Sequence, residues 1–263
     1  MNYSLYQVDA FTDKLFAGNP AAVIPLREWM DDELMQKLAM ENNLSETVFF
    51  VPSDGTDYDY EIRWFTPTVE INLCGHATLA SAFVLFNKLG YAKDSIRFSC
   101  KSGLLHVQKM NDIFQMDFPA WKPEKTIDDH SQILAALGNP PVAGIYKHRD
   151  ILIELNNEES VQRCEPDFTL LKKSGQKVII TSRGNEVDFV SRFFAPVVGV
   201  DEDPVTGSAH SQLIPFWAEK LGKNKLHAKQ LSPRGGELWC EYLGERVTIG
   251  GKCVFYMKGE IEL

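Results

Sequence analysis

Two short stretches combine residue types that can move protons or hold an anion. Residues 74–78 read CGHAT and residues 206–210 read TGSAH; each sets a small or polar residue, glycine, a hydrogen-bonding side chain and alanine before an apolar run. His76 follows Gly75, Ser208 follows Gly207, and Asp203 lies five residues before Ser208. An imidazole, a hydroxyl and a carboxylate can position a substrate and relay protons. If each apolar run is a helix, its first N–H groups lack internal partners and its dipole favours negative charge, so a carboxylate can bind there. Two such starts, their glycines 132 residues apart, would make a clamp for a small anion if the two halves of the chain faced each other. Glu46, in NLSETVFF, adds a carboxylate where the chain passes from a helix into an apolar strand. Each residue also has a plainer reading. Thr206 or Ser208 could cap a helix, Asp203 before Pro204 could start a turn, and Glu46 could be a capping or surface acid.

The elements that must position these residues follow from hydrophobic pattern and turn residues. In the first half, 4–11 and 21–26 read as strands around the turn FAGNP, and Asp31 caps a helix running through MQKLAMENN. Strands follow at TVFFVP (47–52) and YEIRWFTP, then a helix from CGHAT to Gly90, then the strands of SIRFSCKSGLLHVQ and FQMDFPA. The second half repeats the order, with strand material in IYKHRDILIEL, a helical region near 167–173, the strand QKVIITSR, and VSRFFAP leading to TGSAHSQLIPFWAEKLG. The segments RWFTP and RFFAP are offset by 129 and the two glycines by 132, so three residues are inserted in VVGVDEDPV. Two equivalent halves, each a sheet around one main helix, are the economical reading.

Composition narrows the function classes. At 263 residues and 44% apolar content the chain can bury a substantial core. A net charge of -9, with Lys and Arg scattered, argues against nucleic acid as a partner. No apolar run approaches a membrane span, and the N-terminal residues lack the basic start and apolar stretch of a signal peptide, so a cytoplasmic protein is expected. Cys74, Cys100, Cys164, Cys240 and Cys253 form no C-x-x-C pair, and the histidines show no paired metal spacing, so no metal site is expected. Arg234, in SPRGGE, could meet a carboxylate but fits a surface ion pair as well.

Taken in order, QVDAFT, FAGNPAAV, NLSETVFF, RWFTPTVEINLCGHATLASA, FFAPVVGVDEDPVTGSAH, SPRGGE and RVTIGG span nearly the whole chain, and together they resemble the PhzF family of phenazine biosynthesis-like proteins. The resemblance implies an α+β fold related to diaminopimelate epimerase: two pseudo-symmetric lobes, each a barrel-like mixed sheet around a central helix, with the active site between them. The expected boundaries are 1–120 for the N-terminal lobe, completed by a C-terminal strand, and 121–263 for the C-terminal lobe. It also implies that Glu46 carries a proton between substrate carbons, and that His76, Asp203 and Ser208 orient the substrate and assist. Gly75 and Gly207 would cradle its carboxylate, with Asn19, Thr206 and Cys74 as further contacts. A cofactor-free isomerase acting on a small carboxylate-bearing substrate, and a homodimer, are the corresponding expectations. The related epimerases use a cysteine at each helix start; Thr206 replaces the second here, and threonine is too weak an acid or base for that role. The alternative from another class is a non-catalytic protein that binds a small anion or a protein partner for regulation.

Overall fold

The computed structural model of the chain describes residues 2–55 and 57–263. It is a mixed α/β fold, rich in sheet with few helices, and it divides into two compact units. The first comprises Met1–Asp117 with Ile249–Leu263, the second Phe118–Thr248. The change falls at 117/118, and the C-terminal segment from 249 packs with the first unit. No helix among the described residues is long and apolar enough to cross a membrane.

In the first unit the chain forms β1 (Asn2–Ala10), β2 (Asn19–Pro25), α1 (Asp32–Asn42), β3 (Glu46–Pro52), β4 (Tyr60–Phe65), β5 (Glu70–Ile71), α2 (Gly75–Lys88), β6 (Ser95–Cys100), β7 (Gly103–Met110) and β8 (Ile113–Pro119). The C-terminal strand Cys253–Glu262 lies antiparallel to β1, and β1 lies antiparallel to β2. From there β2 runs parallel to β3, β3 antiparallel to β4, and β4 pairs antiparallel with β5 and parallel with β6. Antiparallel pairs β6–β7 and β7–β8 complete the set.

Asp31 caps α1 by accepting from the N–H groups of Glu33 and Leu34, and Asn43 ends the helix in the left-handed region at φ 48°. Ile24 of β2, Leu26 just past its end, and Phe49 and Val51 of β3 sit at alternate positions and pack with Met35, Leu38 and Ala39 of α1. β2 and β3 are also buried between those positions, because α2 lies against β1, β2 and β3. Hence these strands read as nearly continuous apolar runs. α2 is buried on nearly all sides, as its composition of Ala, Leu, Val and Phe requires.

The second unit forms β9 (Glu124–Lys125), α3 (Ser131–Ala136), β10 (Val142–Lys147), β11 (Ile151–Leu155), α4 (Glu158–Gln162), α5 (Phe168–Lys173), β12 (Val178–Arg183), β13 (Phe189–Ala195), β14 (Val200–Asp203), α6 (Gly207–Leu221), β15 (Lys225–Gln230), β16 (Gly236–Tyr242) and β17 (Arg246–Gly251). Its pairing order is that of the first unit. β10 is antiparallel to β11, β11 parallel to β12, β12 antiparallel to β13, and β13 pairs antiparallel with β14 and parallel with β15, which pairs antiparallel with β16. The helices α3 and α4 were not predicted; at six and five residues they are too short to display a helical period.

The same anchor precedes each main helix. Arg63 on β4 forks onto Glu70 of β5 at 2.8 and 3.0 Å, and Arg192 on β13 forks onto Glu202 of β14 at 2.7 and 2.8 Å. Each glutamate stands five residues before its helix glycine. The three inserted residues therefore lie between the arginine and the glutamate of the second fork, where the second unit adds a 3-10 turn, Pro196–Val198, and Gly199 at φ 88°.

α6 contains Pro215, which has no N–H to give to the carbonyl four residues back. That carbonyl belongs to Ser211, and it accepts instead from the Trp121 N–H at 2.8 Å. A helix defect is thereby used to fix Trp121 against α6.

Candidate active site

The first cluster assembles around the start of α2. Cys74 is the N-cap residue in extended backbone and makes no side-chain capping bond, which leaves the first turn to other groups. His76, one residue past Gly75, is 5% exposed and directs Nε2 to Glu46 Oε2 at 2.9 Å; the Glu46 side chain, at the start of β3, is 14% exposed. This is a close ion-pair contact, but its angles fall short of an aligned hydrogen bond, and among the described residues neither atom has another partner. On its other side the ring Nδ1 lies 3.1 Å from the Asn19 side-chain amide and 3.5 Å from Cys74 Sγ; a protonated ring donates through Nδ1, so the amide serves it by turning its oxygen, the acceptor, to the ring. Asn19 opens β2, directly after Gly18 at φ 65°, where a side chain would strike the Ala10 carbonyl. The FAGNP turn thus places the amide that orients the imidazole.

Burial lowers the pKa of His76, but the sulfur of Cys74, the carboxylate of Glu46 and its contacts with both outweigh it and hold the ring well above 6.5. Burial, then the charge of Glu46, push the Cys74 thiol up to about 11. A neutral thiol at pH 7 carries no charge, so Glu46 is the anion that sustains the imidazolium. Ligand atoms of Glu46, Cys74 and His76 lie within 4.8 Å of one another, a spacing that would admit a metal ion. The raised thiol makes this a poor soft-ligand set, because metal binding requires the thiolate.

The second cluster surrounds the start of α6. Thr206, the N-cap, does not cap: its hydroxyl donates to Asp203 Oδ2 at 2.5 Å. Buried Gln230 on β15 accepts from the Thr206 N–H at 2.9 Å and donates to the Asp203 carbonyl at 2.8 Å. One amide thus bridges both ends of the turn DPVT. Ser208, one residue past Gly207, accepts from Arg149 Nη2 at 3.2 Å. Fully buried His210 turns Nδ1 to the Thr206 carbonyl at 2.9 Å. Burial lowers its pKa to about 4, so it stays neutral and donates there.

Within the first unit, then, Glu46, Cys74, His76 and Asn19 stand together; within the second, Asp203 meets Thr206 while Ser208 meets Arg149. Gly75 and Gly207 are the first residues of α2 and α6. Sequence reasoning missed Gln230, Arg149, Asp150 and Gln212. Of these only the H-R-D run at 148–150, a cluster of three ionisable residues beside an apolar strand, offered a signal. Among the other histidines, His227 meets Glu237 at 2.7 Å on the β15–β16 pair and stacks on Trp239, a surface arrangement.

The model of the phenazine biosynthesis-like protein family matches residues 8–259. A Pseudomonas aeruginosa protein named an uncharacterized isomerase is 50% identical over 264 residues, covering all of both chains. A crystal structure of a PhzF-family phenazine biosynthesis protein from Enterococcus faecalis is 47% identical, covers all of both chains and superposes with a TM-score of 0.95. A hydroxyproline epimerase from Agrobacterium vitis shares the fold alone, at 10% identity, a TM-score of 0.67, and coverage of 99% of this chain and 92% of that one. The chain belongs to the PhzC-PhzF family of phenazine biosynthesis-like proteins.

Proposed function

We propose that this protein is a cofactor-independent isomerase that shifts a proton within a small carboxylate-bearing substrate, with Glu46 as general acid and base. The observation that carries the reading is the 2.9 Å contact between Glu46 and His76, two nearly buried groups whose facing atoms have no other partner among the described residues. Isomerase names among relatives of half-identical sequence support the reaction type. In the proposed step the Glu46 carboxylate takes a proton from one substrate carbon, the electron pair spreads into the unsaturated system, and the same carboxyl returns the proton to another carbon. Nothing is oxidised or reduced. His76, held as imidazolium, keeps positive charge beside the carboxylate throughout.

Asp203 and Ser208 take the orienting roles that the family resemblance gives them. Thr206 supports isomerisation over two-thiol epimerisation, since its hydroxyl proton is committed to Asp203. The finer reading of the fold belongs here as well: two pseudo-symmetric lobes, each a barrel-like sheet around α2 or α6, in a homodimeric protein. The equal pairing order of the two units and the burial of both helices support it.

The test is exchange. Unsaturated cyclic carboxylates incubated with the protein in deuterated water should take label into carbon; Glu46→Gln should keep its melting temperature and lose the label. Label entering at the wild-type rate in Glu46→Gln would remove Glu46 from this role. A regulatory anion binder would bind the same compounds without any label entering.

A further inference from the structure

Arg149 is built into the second unit more rigidly than a counter-ion requires. Its side chain is 32% exposed while its partner Asp150 is 2% exposed, so the pair stands at a surface with the acid on the inside. Nε donates to Asp150 Oδ2 at 2.8 Å and Nη2 donates to the same oxygen, which fixes one edge of the guanidinium. The second hydrogen of Nη2 goes to Ser208 Oγ at 3.2 Å. Among the described residues Nη1 makes no hydrogen bond, and the planar group points it where the rest of the fork dictates.

Three further contacts remove the remaining freedom. Gln212, buried on α6 one turn after Ser208, accepts from the Arg149 and Asp150 N–H groups at 2.7 and 2.8 Å and donates to the Asp150 carbonyl at 3.1 Å. The amide imitates a strand partner and ties the 148–150 turn to the helix. The guanidinium face lies 4.7 Å from the Trp121 ring centroid, a cation–π contact, and Trp121 stacks on His148 with 10° between planes. Trp121 is itself held by the carbonyl that Pro215 leaves unpaired. An arginine immobilised in this way has already lost the side-chain entropy that binding would otherwise remove.

Ser208 completes the arrangement. Because its oxygen accepts from Arg149, its own hydrogen is turned away and is available to a second acceptor. One N–H group of Nη1 and one O–H group therefore flank the same edge, a donor pair suited to the two oxygens of a carboxylate.

We propose that Arg149 is a specificity residue: Nη1 and the Ser208 hydroxyl together receive an acidic group of the substrate and select anionic over neutral molecules. This rests on the isomerase reading only for the ligand being a small carboxylic acid. Asp150 and Gln212 are positioning residues that hold the fork.

Binding separates this inference from the reaction. Calorimetric titration of the wild-type protein at pH 7.5 with benzoate and with benzamide, its neutral isostere, should show benzoate bound at least tenfold more tightly. Arg149→Lys keeps the charge but not the planar fork, and Arg149→Gln removes both; with melting temperatures within a few degrees of wild type they should weaken benzoate and leave benzamide unchanged, the glutamine variant more. Side-chain nitrogen resonances of Arg149 in the wild-type protein should shift on adding benzoate, a measurement that needs no variant. Equal binding of the two probes, no benzoate binding, or wild-type benzoate affinity in Arg149→Gln would overturn the proposal. The readout is binding of benzoate and not exchange into carbon, so failure of the proton-transfer reading leaves this result standing.

Discussion

The starts of α2 and α6 share a backbone and differ in chemistry. Both follow an arginine–glutamate fork five residues upstream, both begin with glycine, and neither N-cap side chain caps its helix. In both, the residue four positions after the N-cap bonds back to the N-cap carbonyl, Thr78 to Cys74 and His210 to Thr206. What differs is the set of side chains facing outward from the turn. The first helix start carries a thiol, an imidazolium and the carboxylate of Glu46; the second carries a hydroxyl bound to Asp203, and a serine bound to arginine. The scaffold is kept twice, and on the reading proposed above proton transfer belongs to one helix start and recognition to the other.

The largest expected effect tests that division. Glu46→Gln should lower the rate of carbon–hydrogen exchange by roughly 100- to 10,000-fold, the usual contribution of a positioned general acid or base. Asp203→Asn should lower it less and raise KM, as expected for a group that orients. A loss at Asp203 equal to that at Glu46, with KM unchanged, would break the comparison, since proton transfer would then belong to both helix starts.

The two forks give the next contrast. Arg192 and Glu202 are 9% and 12% exposed, and Arg192 also donates to the carbonyls of Val161 and Cys164. Glu202→Gln leaves that guanidinium buried without its anion, and a loss of about 3–5 kcal/mol in urea unfolding is expected. Glu70→Gln should cost less, because Arg63 keeps Asp32 at 2.8 Å, an acid largely in water. Equal losses would mean that burial does not distinguish the forks.

Much of this arrangement was legible in the sequence, for definite reasons. α1 showed a capping aspartate at Asp31 and α2 a glycine stop at Gly90, and the repeated R-x-F-x-P and G-x-A patterns located both helix starts. Glu46 and His76 were named from their motifs, but not their contact, because no local rule relates residues 30 positions apart. Gln230 and Gln212 were invisible, since a buried glutamine is recognised only by the backbone groups it satisfies. The forks could have been read: each glutamate precedes its glycine by the same five residues.

Histidines sharpen the comparison through pH. His210 in the folded protein titrates at about 4 and in the unfolded chain near 6.5, so between those values only the unfolded chain takes up the proton. Its neutral burial supports stability fully above pH 6.5, and that support, roughly 3 kcal/mol, is lost as pH falls toward 4. His76 has the opposite sign. Its pKa is raised on folding, so its contribution is full below pH 6.5 and is lost as pH rises through the folded value. Urea midpoints measured from pH 4 to 9 should therefore diverge from wild type at the acid end for His210→Gln and at the alkaline end for His76→Gln. Parallel profiles for the two variants would deny that the helix starts hold their histidines in different charge states.

The smallest effect belongs to Cys74. Its sulfur is 3.5 Å from His76 Nδ1, but burial holds the thiol at about 11, so at neutral pH it is no base, and a buried cysteine packs as a small apolar residue. Cys74→Ala should cost about 1 kcal/mol, as an ordinary core substitution does, and leave exchange into substrate carbon close to wild type. Asn19 still meets Nδ1 in that variant, so the ring keeps its orientation and Nε2 keeps facing Glu46. Exchange abolished by Cys74→Ala, with the fold intact, would make the thiol a proton carrier. The first helix start would then be half of an epimerase whose second half Thr206 has lost.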